Sequence, residues 1–162
     1  MSKGILYLIP VPIHNEEDFN IKLIPPYIIK IIDNLKIFAV ENIRTSRRFI
    51  KKLNPSFDID NTNFITVDKR AEKEIILDVI NHLLDGYDVG VMSESGCPGI
   101  ADPGQEICEL AHKNQIIIKP LIGPSSIILA LMASGLNGQE FKFHGYLPIE
   151  QKERIKKIKI IQ

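Results

Sequence analysis

Tryptophan is absent from this sequence, cysteine occurs only twice, at Cys97 and Cys108, and neither sign of charge is in excess, since 20 Lys and Arg offset 20 Asp and Glu. Each scarcity excludes a class of protein. Two cysteines cannot build the disulfide framework of a small secreted domain. A net charge of zero removes whole-molecule attraction to nucleic acid or acidic lipid, so any polyanion binding must come from a local cluster. No apolar run approaches the roughly 18 residues of a transmembrane helix. The first apolar run is short and broken by Pro10 and Pro12. Neither a membrane partner nor a secretory leader is expected, and a reducing, cytoplasmic compartment is the default.

What is present suits one globular domain, or one domain and part of another: 162 residues, 44% of them hydrophobic and 25% charged. Isoleucine fills 30 positions and lysine 15, so isolated runs of either say little about chemistry, and glycine, proline, serine and acidic positions carry more weight. Short aliphatic runs at 5–11, 37–40, 64–67, 88–92 and 116–122 alternate with longer amphipathic stretches at 19–33, 43–53, 71–84 and 103–113. Strand-sized runs separated by helix-sized ones predict a parallel sheet with crossover helices, and continuously aliphatic strands predict burial on both faces. The expected fold class is therefore α/β, an open doubly wound parallel sheet over residues 1–122. Asp102 ahead of Pro103 predicts an N-cap and first helical position. Residues 123–162 read as the start of a second α/β domain, cut short: a helix after Gly123-Pro124-Ser125-Ser126, a sixth strand at 141–147 and a basic helix at 150–161.

In an open parallel sheet the ligand site lies beyond the carboxyl ends of the strands, which directs attention to the loops there. The loop Ser93-Glu94-Ser95-Gly96-Cys97-Pro98-Gly99-Ile100-Ala101-Asp102-Pro103-Gly104 is the most informative. Its three glycines permit close backbone approach to a ligand, while its two prolines stiffen the path. A tight strand-to-helix connection needs one glycine and one cap, not twelve residues of this composition. Neither a G-x-G-x-x-G after the first strand, nor a G-x-x-x-x-G-K-[ST], nor a G-x-S-x-G occurs. Cys97 has no nearby histidine to activate it, and Cys108 with His112 supplies two ligands where zinc needs more, so no metal is assigned. On the helix after Glu41, Arg44, Arg47, Arg48, Lys51 and Lys52 share one face opposite Ile43, Ile50 and Leu53, with no acid among them. Like charges at that spacing repel, and a phosphate-bearing partner would relieve the repulsion. A solvated basic face is the plain alternative.

Taken together, 6–13, Val40-Glu41-Asn42-Ile43-Arg44-Thr45-Ser46-Arg47-Arg48, the loop 93–104, Gly123-Pro124-Ser125-Ser126 and Gly145-Tyr146-Leu147-Pro148 resemble the tetrapyrrole methylase superfamily, and more narrowly its branch of small-subunit ribosomal RNA methyltransferases. The resemblance runs from about Leu6 to Arg154. It implies an S-adenosylmethionine-dependent methyltransferase, usually a homodimer of two-domain subunits, acting on an RNA ribose 2'-hydroxyl. It implies cofactor contacts at Pro12, Ile13 and His14, at Ser95, Gly96, Cys97 and Ile100, at Ser125 and Ser126, and near Tyr146. An alcohol acceptor calls for a base, and Glu41 and Glu94, at adjacent strand ends, are the candidate catalytic carboxylates, with Glu41 equally a candidate to anchor the following helix or to pair with Arg44. Arg44, Arg47, Arg48, Lys51 and Lys52 would grip RNA phosphates. His14-Asn15, Asn42-Ile43 and Ser93-Glu94-Ser95-Gly96-Cys97 depart from the pattern of that branch. The rival readings are methylation of a tetrapyrrole intermediate on the same fold, and a truncated, non-catalytic RNA-binding relative.

Overall fold

The computed structural model describes residues 2–13, 24–67, 73–100 and 104–161. They divide into two compact units, Met1–Ser126 and Ile127–Gln162.

The first unit is an α/β sandwich around five parallel strands, β1 (Ile5–Leu8), β2 (Ile37–Val40), β3 (Asn63–Thr66), β4 (Val89–Met92) and β5 (Ile117–Pro120), in the order β3-β2-β4-β1-β5. Between them run α1 (Pro26–Asn34), α2 (Ile43–Leu53), α3 (Lys73–Leu84) and α4 (Gln105–Lys113). The chain steps one way across the sheet from β1 to β2 and β3, then the other way to β4 and β5, and right-handed crossovers put helices from opposite steps on opposite faces. The packing follows that rule. Ile28 and Ile32 of α1 and Ile50 and Leu53 of α2 join Ile9, Phe38, Val40 and Met92 in one core. Ile76, Val79 and Leu83 of α3 and Ile107 and Ala111 of α4 join Leu6, Ala39, Val89 and Val91 in the other. The open doubly wound sheet expected from the alternation of runs is the fold observed.

The central strands β2 and β4 are buried at every residue. The edge strands are not: β3 exposes both its ends, and in β5 Ile117 is 61% exposed. Their aliphatic letters reflect the isoleucine bias as much as burial, which corrects the expectation that all five strands are enclosed.

Several boundaries differ for identifiable reasons. The first strand stops at Leu8 rather than 11, because Pro10 has no N–H to continue the ladder. Helix α1 starts at Pro26, and residues 19–23 of the stretch expected as helix lie outside the described residues. Pro25 sits at the N-cap with φ −57° and ψ 135°, an extended conformation imposed by the following Pro26, which occupies the first turn where its missing donor costs nothing. Helix α4 starts at Gln105 rather than 103, with Gly104 at the N-cap at φ 123° and no side-chain cap. The expected cap, Asp102 before Pro103, lies outside the described residues.

In the second unit, α5 (Ser126–Ser134) and α6 (Gln151–Ile161) each contain no buried residue. The sixth strand expected at 141–147 is not formed, and residues 141–148 carry neither helix nor strand. A strand exists only where another pairs its N–H and C=O groups, and no second strand is present among the described residues of this unit.

Phe38 is fully buried, stacked on Phe64 at 5.5 Å between centroids and edge-on to Phe57 at 6.2 Å. Phe38→Ala is expected to destabilise the first unit by about 3–5 kcal/mol, read as a lowered urea midpoint with little change in slope.

Candidate functional site

Strand β4 lies between β1 and β2. The helices that follow those neighbours cover one face of the sheet, and α4, which follows β4, covers the other. The backbone therefore parts in both directions at the carboxyl end of β4, the position at which open α/β sheets bind ligands.

The loop that leaves β4 there is held by its neighbours on three sides. Toward β1, Val11 and Gly96 form an antiparallel bridge, with Val11 N–H donating to Gly96 O at 2.9 Å and Gly96 N–H to Val11 O at 3.1 Å. Gly96 makes this turn at φ 74°, in the left-handed region where a side chain is disfavoured. Toward β5, the Cys97 thiol donates to the Pro124 carbonyl at 3.3 Å. Toward β2, the Glu94 N–H donates to Glu41 Oε2 at 3.2 Å. Within the loop, the buried Ser93 hydroxyl donates to Ser95 O at 3.2 Å. A further close approach joins the loops after β1 and β5: a Cβ at Gly123 would clash with Cβ and Cγ of the Pro10 ring.

The sequence-derived positions are distributed as follows. Pro12 and Ile13, half-buried, follow directly on the bridging Val11, and His14 lies outside the described residues. Ser95 and Glu94 are exposed, Gly96 and Cys97 are half-buried, and Ile100 is exposed at the far end of the loop. Ser125 and Ser126 follow Pro124 directly, Ser126 opening α5. Tyr146 lies in the second unit and is exposed. The structure thus gathers the segments after β1, β4 and β5 in the first unit around Gly96. Of the two carboxylates, Glu41 is half-buried and turned onto the Glu94 amide, with no ion pair to Arg44, whereas Glu94 presents its side chain to solvent.

Helix α2 begins beside this site. The Asn42 side chain caps it by accepting from Arg44 N–H at 2.9 Å and Thr45 N–H at 3.3 Å. Ser46, Ile50 and Leu53 are buried, which leaves Arg44, Arg47, Arg48, Lys51 and Lys52 exposed on the outer face. That face is not free of acid, as the helix alone suggested. Arg47 Nη2 lies 3.4 Å from Asp60 Oδ1, and its guanidinium lies 5.8 Å from the centre of the Phe64 ring. Lys51 Nζ donates to Pro55 O at 2.9 Å. An open depression of about 530 Å³ runs between Arg47, Arg48 and Lys51 on the helix and Phe57, Asp58 and Asp60 on the turn after it. Asp58 braces that turn by accepting from the Asn61 amide at 2.7 Å, and this bond first, then the Asn61 N–H, holds its carboxyl below the ordinary range. Among the described residues no group of three or more His, Cys, Asp or Glu is placed to hold a metal ion, and no helix is long and apolar enough to cross a membrane.

No family model matches the chain. Individual proteins do. Over 94% of its length the chain is 34% identical to ribosomal RNA small subunit methyltransferase I of Halalkalibacterium halodurans. Over 93% it is 33% identical to the enzyme of that name from Buchnera aphidicola, and over 95% it is 31% identical to that of Vibrio cholerae. All three of these relatives bear the name ribosomal RNA small subunit methyltransferase I. The resemblance read from the five motifs, to that branch of the tetrapyrrole methylases, is therefore borne out by whole-sequence similarity. The chain spans about half the length of the methyltransferase I relatives, 50% of each of these three.

Sequence reasoning missed three participants. Val11 and the Pro124 carbonyl act through the main chain, which leaves no signature in residue type. Asp60 had a signal: acids at 58 and 60 follow a basic helix within one turn of chain reversal.

Gly123→Ala is expected to destabilise the first unit by about 1–3 kcal/mol, because the Pro10 ring cannot rotate away. Gly138→Ala, where a Cβ meets nothing within 4 Å, is the matched control, and its urea midpoint should stay where it is. Because the Asp58 pKa is lowered on folding, its contribution to stability is present above the unfolded value of about 4 and is lost as pH falls through the lowered folded value. Asp58→Asn should therefore flatten the acid limb of a stability-against-pH curve while leaving its shape above about pH 5 intact.

Proposed function

We propose that this chain is the cofactor-binding part of an S-adenosylmethionine-dependent methyltransferase that modifies a ribose hydroxyl of small-subunit ribosomal RNA. The observation that carries the reading is the meeting of the loops after β1, β4 and β5 around Gly96 at the carboxyl edge, in a chain whose relatives bear that name. These loops suit the cofactor. Gly96 turns at φ 74°, a conformation that disfavours any side chain, and Ser95 and Ser125 add short polar side chains. S-adenosylmethionine, when bound, supplies a methyl group on a positively charged sulfur that a ribose oxygen can displace directly.

The chain's own task is alignment and water exclusion rather than covalent chemistry. Pro12, Ile13, Ser95, Gly96, Cys97, Ile100, Ser125 and Ser126 are the proposed cofactor contacts within the first unit, and His14 and Tyr146 are added by the resemblance alone. Glu94, exposed on the central loop, is placed in this reading to take the hydroxyl proton as the oxygen gains its methyl group. Arg44, Arg47, Arg48, Lys51 and Lys52 hold phosphates and position the RNA without reading its sequence. That extended cationic face favours RNA over a tetrapyrrole, which needs an enclosing cleft. Residues 127–162 belong in this reading to a second α/β lobe, and the homodimer and cytoplasmic location carried by the resemblance complete it.

Incubation with radiolabelled S-adenosylmethionine and small-subunit RNA is expected to move label to a ribose 2'-oxygen. Label appearing on a tetrapyrrole precursor instead would establish the rival enzyme, and RNA retention without transfer would establish a binding protein. Reversing two charges, Arg47→Glu with Arg48→Glu, should weaken RNA binding by about 10-fold or more and reduce the salt slope by about 2, with cofactor affinity unmoved.

A further inference from the structure

We infer that Glu41 is a positioning residue, whose carboxylate continues the β2–β4 ladder by one hydrogen bond past the end of both strands and so fixes the cofactor loop at Glu94. This assignment rests on the methyltransferase reading above for its consequence, and on geometry alone for the tether itself.

The register of the sheet makes the role specific. Val40 lies opposite Met92, which puts residue 41 opposite residue 93. In a parallel pair the residue opposite 93 sends its N–H to the carbonyl of 92 and receives at its own carbonyl the N–H of 94. Glu41 makes the first of these bonds with its main chain, N–H to Met92 O at 3.2 Å. It makes the second with its side chain, Oε2 taking the Glu94 N–H at 3.2 Å. The substitution follows from what comes next. Asn42 is the N-cap of α2, so the chain turns away from the sheet directly after Glu41, and a side-chain oxygen takes the place that a continuing strand would give to the main-chain carbonyl. An aspartate is one methylene shorter and a serine shorter still. A glutamine reaches and offers an equivalent acceptor.

The tethered amide is two residues before Gly96, whose N–H and C=O are both committed to Val11. Glu41 and Val11 therefore hold the loop from the β2 and β1 sides, with the exposed Glu94 and Ser95 side chains borne on the backbone between them. The two nominated carboxylates separate in role: Glu94 faces outward, and Glu41 spends an oxygen on the main chain that carries Glu94.

The test compares Glu41→Gln, Glu41→Asp and Glu41→Ala in the intact protein by amide hydrogen exchange at Glu94, S-adenosylmethionine affinity and methyl transfer to small-subunit RNA. Glu41→Gln should keep the Glu94 amide protected and hold both KM for the cofactor and kcat within about 3-fold of wild type. Glu41→Ala and Glu41→Asp should speed exchange at Glu94 and raise the cofactor KM by about 10-fold, a loss comparable to one hydrogen bond to a charged group. Loss of turnover in Glu41→Gln with the amide still protected would make Glu41 the proton acceptor and overturn the inference. Unchanged exchange at Glu94 in Glu41→Ala would overturn it too. If wild type binds no S-adenosylmethionine the methyltransferase reading fails, and the exchange measurement still decides whether the tether exists.

Discussion

Everything at the candidate site depends on how the chain leaves β4. A strand at the centre of a parallel sheet has its hydrogen bonds shared with two neighbours, and at its carboxyl end both sets run out together. The backbone polar groups of the loop must then find other partners or remain in water. Here Val11 and Glu41, on the segments after β1 and β2, take over the backbone bonds of Gly96 and Glu94, and the Pro124 carbonyl after β5 receives the Cys97 thiol. Glycine has the largest backbone freedom to lose, so the bonds at Gly96 restrict the chain where restriction costs most. Ordering it before a ligand arrives removes that entropy from the cost of binding.

Burial and charge are divided cleanly on α2. Its inner side is fixed by Ile50, Leu53 and Ser46, and its start by the Asn42 cap, so the outer cations are carried on a rigid frame. The Arg47–Asp60 pair spans two exposed side chains, 44% and 95% accessible, and exposed pairs of this kind contribute little to stability. Its effect is local: it orients one guanidinium along the Phe64 ring beside the depression and reduces the repulsion among five like charges. The face is thus a local concentration of positive charge on a molecule whose net charge is zero.

The fold was legible wherever a run of residues had to satisfy one requirement along its whole length. Strands β2 and β4 must be apolar on both faces, α2 must repeat its apolar residues every third or fourth position, and both patterns stand out from the isoleucine background. Misreadings occurred where a local pattern met a competing constraint. The amphipathic stretch at 19–33 contains Pro25-Pro26, and proline geometry sets the start of α1. The alternation Phe141, Phe143, Leu147 has the period of a strand, yet pairing belongs to two segments at once and one segment cannot announce it.

By itself the sequence determined the class of fold, the glycine-proline loop, the cationic helix face and the kinship to ribosomal RNA methyltransferases, because each of these is written in residue types over contiguous or ordered stretches. Tertiary structure decided which groups meet. Glu41 and Glu94 are 53 residues apart along the chain, Arg47 and Asp60 are 13 apart, and Cys97 and Pro124 are 27 apart. Two of those three contacts use a main-chain atom that every residue possesses. A main-chain partner has no letter of its own, so only the register of the sheet could turn a candidate base into the last rung of a ladder.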